Sequence, residues 1–198
     1  DSGATYMDGT TDITRTYPLG ELTEDEKRFY TWTLQSHIDL AKAVWLDYCE
    51  CKMIDTIARE PLWRHLINYR CGTGHSVSFV GNVHEGPHAL NSRNTTRMRP
   101  GMVVTDEPGV YETDLVGIRI ENELVCIHKA DNQYGTFLGF EPLTFVPIAT
   151  SPILPGVLDK DELAWLNDYH RQVFAKLAPH LNAEERVWLA EKCASIGC

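Results

Sequence analysis

No apolar run in this sequence approaches the length of a membrane-spanning helix, so a membrane span is not expected. A basic cluster is missing too. Eighteen Lys and Arg against 28 Asp and Glu leave a formal charge of -10, which argues against nucleic acid or an anionic membrane as the main partner. The six cysteines, Cys49, Cys51, Cys71, Cys126, Cys193 and Cys198, form no zinc-like pair of CxxC units, and a chain of 198 residues needs no disulfide staples. Reduced thiols in a cytoplasm are the default, and a redox or metal role for Cys49 and Cys51 around Glu50 is the minor reading. No repeat or low-complexity tract is present. Because the chain opens on Asp1 rather than Met, the lack of a leader peptide excludes nothing. Apolar residues make up 43% and aromatics 10%, enough for one large soluble domain or a domain with an appendage.

Residues 1–17 read as strand, turn, strand around Asp8-Gly9. Thr23 with Glu26 forms a capping-box pattern, and Phe29, Tyr30, Leu34, Ile38, Ala41, Val44, Trp45 and Tyr48 recur near helical spacing, predicting one long amphipathic helix. A second helix is expected from about Met53 to Tyr69, kinked or restarted at Pro61 and ended by Gly72 and Gly74. Extended segments are expected at 76–83, 102–105 and 116–128, giving a mixed helix and antiparallel-sheet domain. Past about Ala130 the character changes, and the prolines at 142, 147, 152 and 155 predict an extended connector from Phe140 to Val157. Two helices then follow, announced by Asp159 with Glu162 and by Asn182 with Glu185. Residues 141–198 therefore read as a wrapping extension. Its Trp165, Tyr169 and Trp188 are packing residues in the simpler view and interface residues in the other.

Asp1, Asp12, His75, Glu107 and Glu121 sit in glycine-marked or strand-like contexts and are potential ligands for hard metal ions. Four carboxylates and one imidazole could hold two divalent ions, and the pair could activate a water for hydrolysis. Without metal the carboxylates would repel one another. Along 117–125, Ile118, Ile120 and Leu124 share one strand face and Arg119, Glu121 and Glu123 the other, so Glu121 points with Arg119. His84 lies nine residues beyond His75, which puts the two on opposite faces of a strand unless a bend, such as one at Gly81, intervenes. His88 reads as solvent-facing. Taken singly, each acidic residue is an ordinary surface charge and His75 an ordinary hydrogen-bonded histidine.

Together the motifs Asp1-Ser2-Gly3, Asp12-Ile13-Thr14-Arg15-Thr16, Gly72-Thr73-Gly74-His75, Val83-His84-Glu85-Gly86-Pro87, Glu107-Pro108-Gly109-Val110-Tyr111 and Gly117-Ile118-Arg119-Ile120-Glu121-Asn122 resemble the catalytic region of the Xaa-Pro aminopeptidases, the aminopeptidase P family. The segment Leu138-Gly139-Phe140-Glu141-Pro142-Leu143-Thr144 resembles the C-terminal extension of the longer, three-domain members. The resemblance implies an α+β pita-bread fold, incomplete at its N-terminus, with residues 1–140 as a truncated metallopeptidase domain and 141–198 as a helical C-terminal extension. It implies two divalent ions, manganese with zinc or cobalt as alternatives, held by Asp1, Asp12, His75, Glu107 and Glu121.

The implied substrate is a peptide with proline in second position, from which the first residue is released. Glu107 would relay the proton, His84 would contact substrate and steady the tetrahedral intermediate, and Arg119 would hold a ligand carboxylate. A cytoplasmic homodimer is implied as well. Two departures stand out: Ser76 and Ser78 where many relatives carry glycine, and Asp106 where asparagine often precedes the glutamate, adding charge beside the metals. A substrate-binding histidine of the family precedes the first ligand aspartate and has no match here. The expectation is a catalytic fragment that binds metal weakly and has little activity alone. The rival readings are a prolidase-like dipeptidase or a methionine aminopeptidase on the same fold, and a non-catalytic pita-bread peptide-binding module.

Overall fold

A computed structural model of the chain describes residues 1–197. The chain opens with a hairpin, β1 (Ser2–Tyr6) and β2 (Gly9–Ile13), in which Gly3 faces Asp12 across the ladder. Next comes α1 (Glu24–Ala41), begun by the expected capping box: Thr23 Oγ1 accepts from the Glu26 amide while Glu26 accepts from the Thr23 amide. Tyr30, Leu34, Ile38 and Ala41 are buried along it, at helical spacing. The helix stops earlier than its pattern predicted. Val44 to Leu46 form the strand β3 (Val44–Leu46), because their alternating exposure suits pairing with a later strand better than another helical turn.

The second helix, α2 (Cys51–Trp63), ends six residues short of Tyr69. Pro61 lies in its last turn and neither restarts nor divides it, while Leu66, at a φ of 59°, turns the chain away. Segment 76–83 was expected to be a strand and is not. β4 (Gly74–His75) pairs with β5 (Ala89–Leu90), Ser76 makes a single bridge to Val104, and the following residues loop back on themselves. Ser78 Oγ donates to the Asn82 carbonyl at 2.6 Å and the Glu85 amide donates to the Ser76 carbonyl at 3.1 Å, so local bonds replace a ladder.

β6 (Val103–Asp106) is followed by a hairpin of β7 (Gly109–Glu112) and β8 (Val116–Arg119). The expected single segment 116–128 is broken after Arg119, and β9 (Asn122–Asn132) starts three residues later. A further strand, β10 (Gly135–Pro142), was not expected; it fills a stretch given no element and takes the first three residues of the expected connector. The main sheet has the order β3-β10-β9-β6, all antiparallel.

Residues 143–157 carry no regular element, as the prolines implied. The helices α3 (Lys160–Leu177) and α4 (Ala183–Lys192) follow, each opened by its expected capping box. One core lies between the sheet, α2 and the end of α1, around Trp45, Ile54, Leu124 and Phe140. A second joins the opposite side of α1 to α3 and α4, around Leu34, Ile118, Ile120 and Leu166. Trp165 packs against both, stacked on the buried Tyr169 at 5.3 Å, whereas Trp188 is 54% exposed. Among the described residues no helix is long and apolar enough to cross a membrane.

Candidate metal centre

Strand geometry brings the acidic residues together. Asp12 lies on β2, and the chain continues to Thr14, which bridges to Glu121 in the gap between β8 and β9. Gly74 lets β4 lie against β6: a Cβ there would come within 1.8 Å of the Thr105 carbonyl oxygen. That approach sets His75 beside Thr105, whose hydroxyl accepts from the His75 amide at 3.0 Å and donates to Glu107 Oε1 at 2.9 Å. Ligand atoms of Asp12, His75 and Glu121 all lie within 4.8 Å of one another.

His75 Nδ1 lies 3.1 Å from the Ser76 carbonyl, an acceptor, so the proton sits on Nδ1 and the lone pair on Nε2. Nε2 is 3.0 Å from Glu107 Oε1 and 3.5 Å from Asp12 Oδ2, yet it is buried without a hydrogen bond of acceptable alignment. Glu121 Oε1 is likewise buried and unpartnered, while its Oε2 accepts from Thr14 Oγ1 at 2.5 Å. Orphaned acceptors on a metal-competent imidazole and a buried carboxylate are what a bound cation would satisfy. The donor set, oxygen with one imidazole, suits a hard divalent ion.

Asp1 and Glu107 stand at the margin of that trio. Glu107 contacts it through His75, whereas Asp1, 58% exposed at its side chain, pairs with Arg119 Nη2. Arg119 lies on β8 with Nε 3.8 Å from Glu107 and 3.9 Å from Glu121, and also donates to Thr14 Oγ1 and to the Tyr111 hydroxyl. His84, exposed, places its ring 3.7 Å from the His75 ring; Gly81, at a φ of 142°, lies in the loop between them. A cavity of about 510 Å³ opens here, lined by Asp1, Asp12, His84 and the inner face of the hairpin.

The electrostatics record crowding of like charge. Burial pushes the Glu121 carboxyl up to about 7, with Glu107 and Asp12 adding to the effect and the Thr14 hydroxyl opposing it. Burial pulls His75 down, but Glu107, the Ser76 carbonyl and Asp12 outweigh it and leave the imidazole above its ordinary value. Burial raises Glu107, and the adjacent His75 imidazole together with the Thr105 hydroxyl reverses the sign.

Sequence reasoning missed several participants. Thr14 is two residues beyond Asp12, and that period-two spacing was the available signal. Glu123 was placed on the Glu121 face but given no role. It is 6% exposed, accepts from the Asp12 amide at 2.7 Å, and is pushed by burial up to about 7. His88 is not solvent-facing: it is half-buried with Nε2 2.8 Å from the Val103 carbonyl. Asp106 points away from the metal side, although its charge still acts on Glu107. Its carboxylate is fully buried on His37 Nδ1 at 3.1 Å, and burial holds it up at about 6.

The model of metallopeptidase family M24 matches residues 1–128, and that of the C-terminal region of peptidase M24 matches 136–196. The chain belongs to metallopeptidase family M24. It is 42% identical to aminopeptidase P1 of Lotus japonicus over 203 residues, which cover 100% of this chain and 31% of that one. It is 45% identical to aminopeptidase P2 of Arabidopsis thaliana, covering 96% and 28%. The M24 chain thus spans about a third of the length of the curated relatives it matches.

Among solved structures, X-prolyl aminopeptidase from Caenorhabditis elegans, a cytosolic enzyme with a di-nuclear active site, superimposes with a TM-score of 0.93 at 39% identity, covering 99% of this chain and 33% of that one. Prolidase from Pyrococcus furiosus matches 73% of this chain and 40% of its own, with a TM-score of 0.62 at 29% identity. The fold is the pita-bread fold of M24, as the sequence motifs implied.

Proposed function

We propose that this chain is the metal-binding part of an Xaa-Pro aminopeptidase, releasing the first residue from peptides with proline in second position. The observation that carries the reading is the cluster of Asp12, His75 and Glu121, with His75 Nε2 and Glu121 Oε1 buried and unpartnered. Likeness to the di-nuclear Caenorhabditis elegans enzyme over 99% of the chain supports two ions held by Asp1, Asp12, His75, Glu107 and Glu121. Manganese is the first choice by the family resemblance, with zinc or cobalt as alternatives, since an oxygen-rich site suits hard divalent ions without choosing among them. Two bound divalent ions would lower the pKa of a shared water and polarise the peptide carbonyl.

The chain's own residues complete the chemistry. Glu107, hydrogen-bonded by Thr105 and beside His75, relays the proton from water to the departing amine. His84 lies at the mouth of the cavity, where an exposed imidazole beside the His75 ring can hydrogen-bond the developing oxyanion. Arg119 fixes the carboxylates of Asp1, Glu107 and Glu121 by reaching all three. In this reading residues 1–140 form the metallopeptidase domain, whose sheet β10 completes, and 141–198 its extension. The protein works in the cytoplasm as a homodimer, with the exposed Trp188 available on the extension for contact.

Two measurements test the proposal. Equilibrium dialysis against manganese should find two ions per chain, weakly bound, and none after Glu121→Gln. Incubation with an Xaa-Pro tripeptide, an Xaa-Pro dipeptide and a Met-Ala peptide should give slow, chelator-sensitive release from the tripeptide alone, lost in Glu107→Gln. Cleavage of the dipeptide instead would make the protein prolidase-like, and cleavage of the Met-Ala peptide a methionine aminopeptidase. A chain that binds peptide but no metal would be a binding module.

A further inference from the structure

Glu121 sits where the sheet is interrupted. β8 has ended at Arg119 and β9 has not begun, so the main chain of this buried carboxylate is held by few bonds. Its amide donates to the Thr14 carbonyl at 3.1 Å, and its own carbonyl accepts from Arg15 Nη1 at 2.6 Å. The remaining bonds of that guanidinium run elsewhere. Nη1 also donates to the Thr14 carbonyl at 2.8 Å, and Nε to the Pro147 carbonyl at 3.1 Å. Nη2 donates to Asn122 Oδ1 at 2.7 Å, the Val146 carbonyl at 2.7 Å and the Tyr169 hydroxyl at 2.9 Å.

All six acceptors are neutral oxygens, which makes Arg15 an alignment device, a planar fork that fixes several groups at once, rather than one half of an ion pair. Three of the six belong to the C-terminal segment. Tyr169, 1% exposed on α3, stacks on Trp165, accepts the hydrogen bond from Arg15, and places its own hydroxyl proton within reach of the Val146 and Thr144 carbonyls at 2.9 and 3.2 Å. The path from α3 to the main chain of Glu121 is continuous: Tyr169, Arg15, the Glu121 carbonyl.

We propose that Arg15 and Tyr169 are positioning residues through which the C-terminal segment fixes Glu121 in the metal centre. The extension is thereby part of the site's construction, although none of its side chains is among the ligands. The importance for metal rests on the reading of Glu121 as a ligand; the mechanical link does not.

Two variants separate alignment from charge and from packing. Arg15→Lys keeps the charge and loses the fork, while Tyr169→Phe keeps the ring on Trp165 and loses only the hydroxyl. Amide hydrogen exchange of the metal-free chain should show the Glu121 amide exchanging about tenfold faster in both variants, a hydrogen bond's worth of protection. The Cys126 amide, bonded to the Met102 carbonyl within the sheet, should keep its wild-type rate. Unchanged Glu121 exchange would overturn the proposal, as would equal acceleration at Cys126, the mark of a merely structural loss. Manganese dialysis of the same proteins should give about tenfold weaker binding in both variants. A wild-type chain that takes up no manganese would remove the metal-site reading and leave the exchange result to judge the link. Two ions in the wild type with unaltered Glu121 exchange in the variants would sink the link alone.

Discussion

At the scale of single residues, Gly74 decides whether the site exists. The Thr105 carbonyl occupies the place of its missing Cβ, and that contact delivers His75 to Glu107 and Asp12. Gly74→Ala must push β4 off β6, and urea denaturation should show a loss of about 3 kcal/mol, the upper range for an overpacked contact. The same variant should lose the thermal stabilisation by manganese expected of the wild type, which at a hundredfold excess over Kd is worth about 2.7 kcal/mol. Calorimetry with and without the ion checks this. The grouping of Asp12, His75 and Glu121 was legible because each stands in a motif that chemistry constrains. Thr14 and Glu123 were not, since their importance lies in what faces them across strands more than a hundred positions away.

At the scale of elements, helix starts were readable and helix and strand ends were not. The capping boxes at Thr23, Asp159 and Asn182 are all formed, because a cap needs only residues three apart. Asp159 accepts from the amides of Asp161 and Glu162, so Asp159→Ala should cost about 1 kcal/mol in urea denaturation. The end of α1, the break after Arg119 and the whole of β10 depend on partners. Val44 to Leu46 leave the helix to pair with β10, and β10 itself, with its glycines and terminal proline, is a strand because β9 and β3 flank it. Local sequence carries neither fact.

At the scale of the molecule, two cores meet along α1 and the second contains a buried histidine. His170 is fully buried, its Nε2 accepting from the Ile148 amide at 3.1 Å, and burial together with the Arg15 charge pulls its pKa down to about 4. The unfolded chain binds this proton near the ordinary 6.5 and the folded chain does not until about 4. The contribution of His170 to stability is thus intact above 6.5 and falls as the pH drops from 6.5 to 4, by up to about 3 kcal/mol. Glu121 and Glu123, raised to about 7, act in the opposite sense between 7 and 4.5, since the folded chain there binds more protons than the unfolded. His170→Gln keeps an acceptor and removes the titration, so its stability relative to wild type should improve on acidification through that window. Parallel pH profiles from thermal melts would refute the assignment.

The sequence by itself determined the family motifs, the helix starts and the apolar face of α1, because these are properties of short spacings. Tertiary structure alone decided which acceptors are left unpartnered, that Asp106 turns to His37 rather than to the metal side, and that Tyr169 reaches Glu121 through Arg15. Those are matters of burial and of contact between segments distant in the chain, and the free energy of a buried charge is set by everything around it.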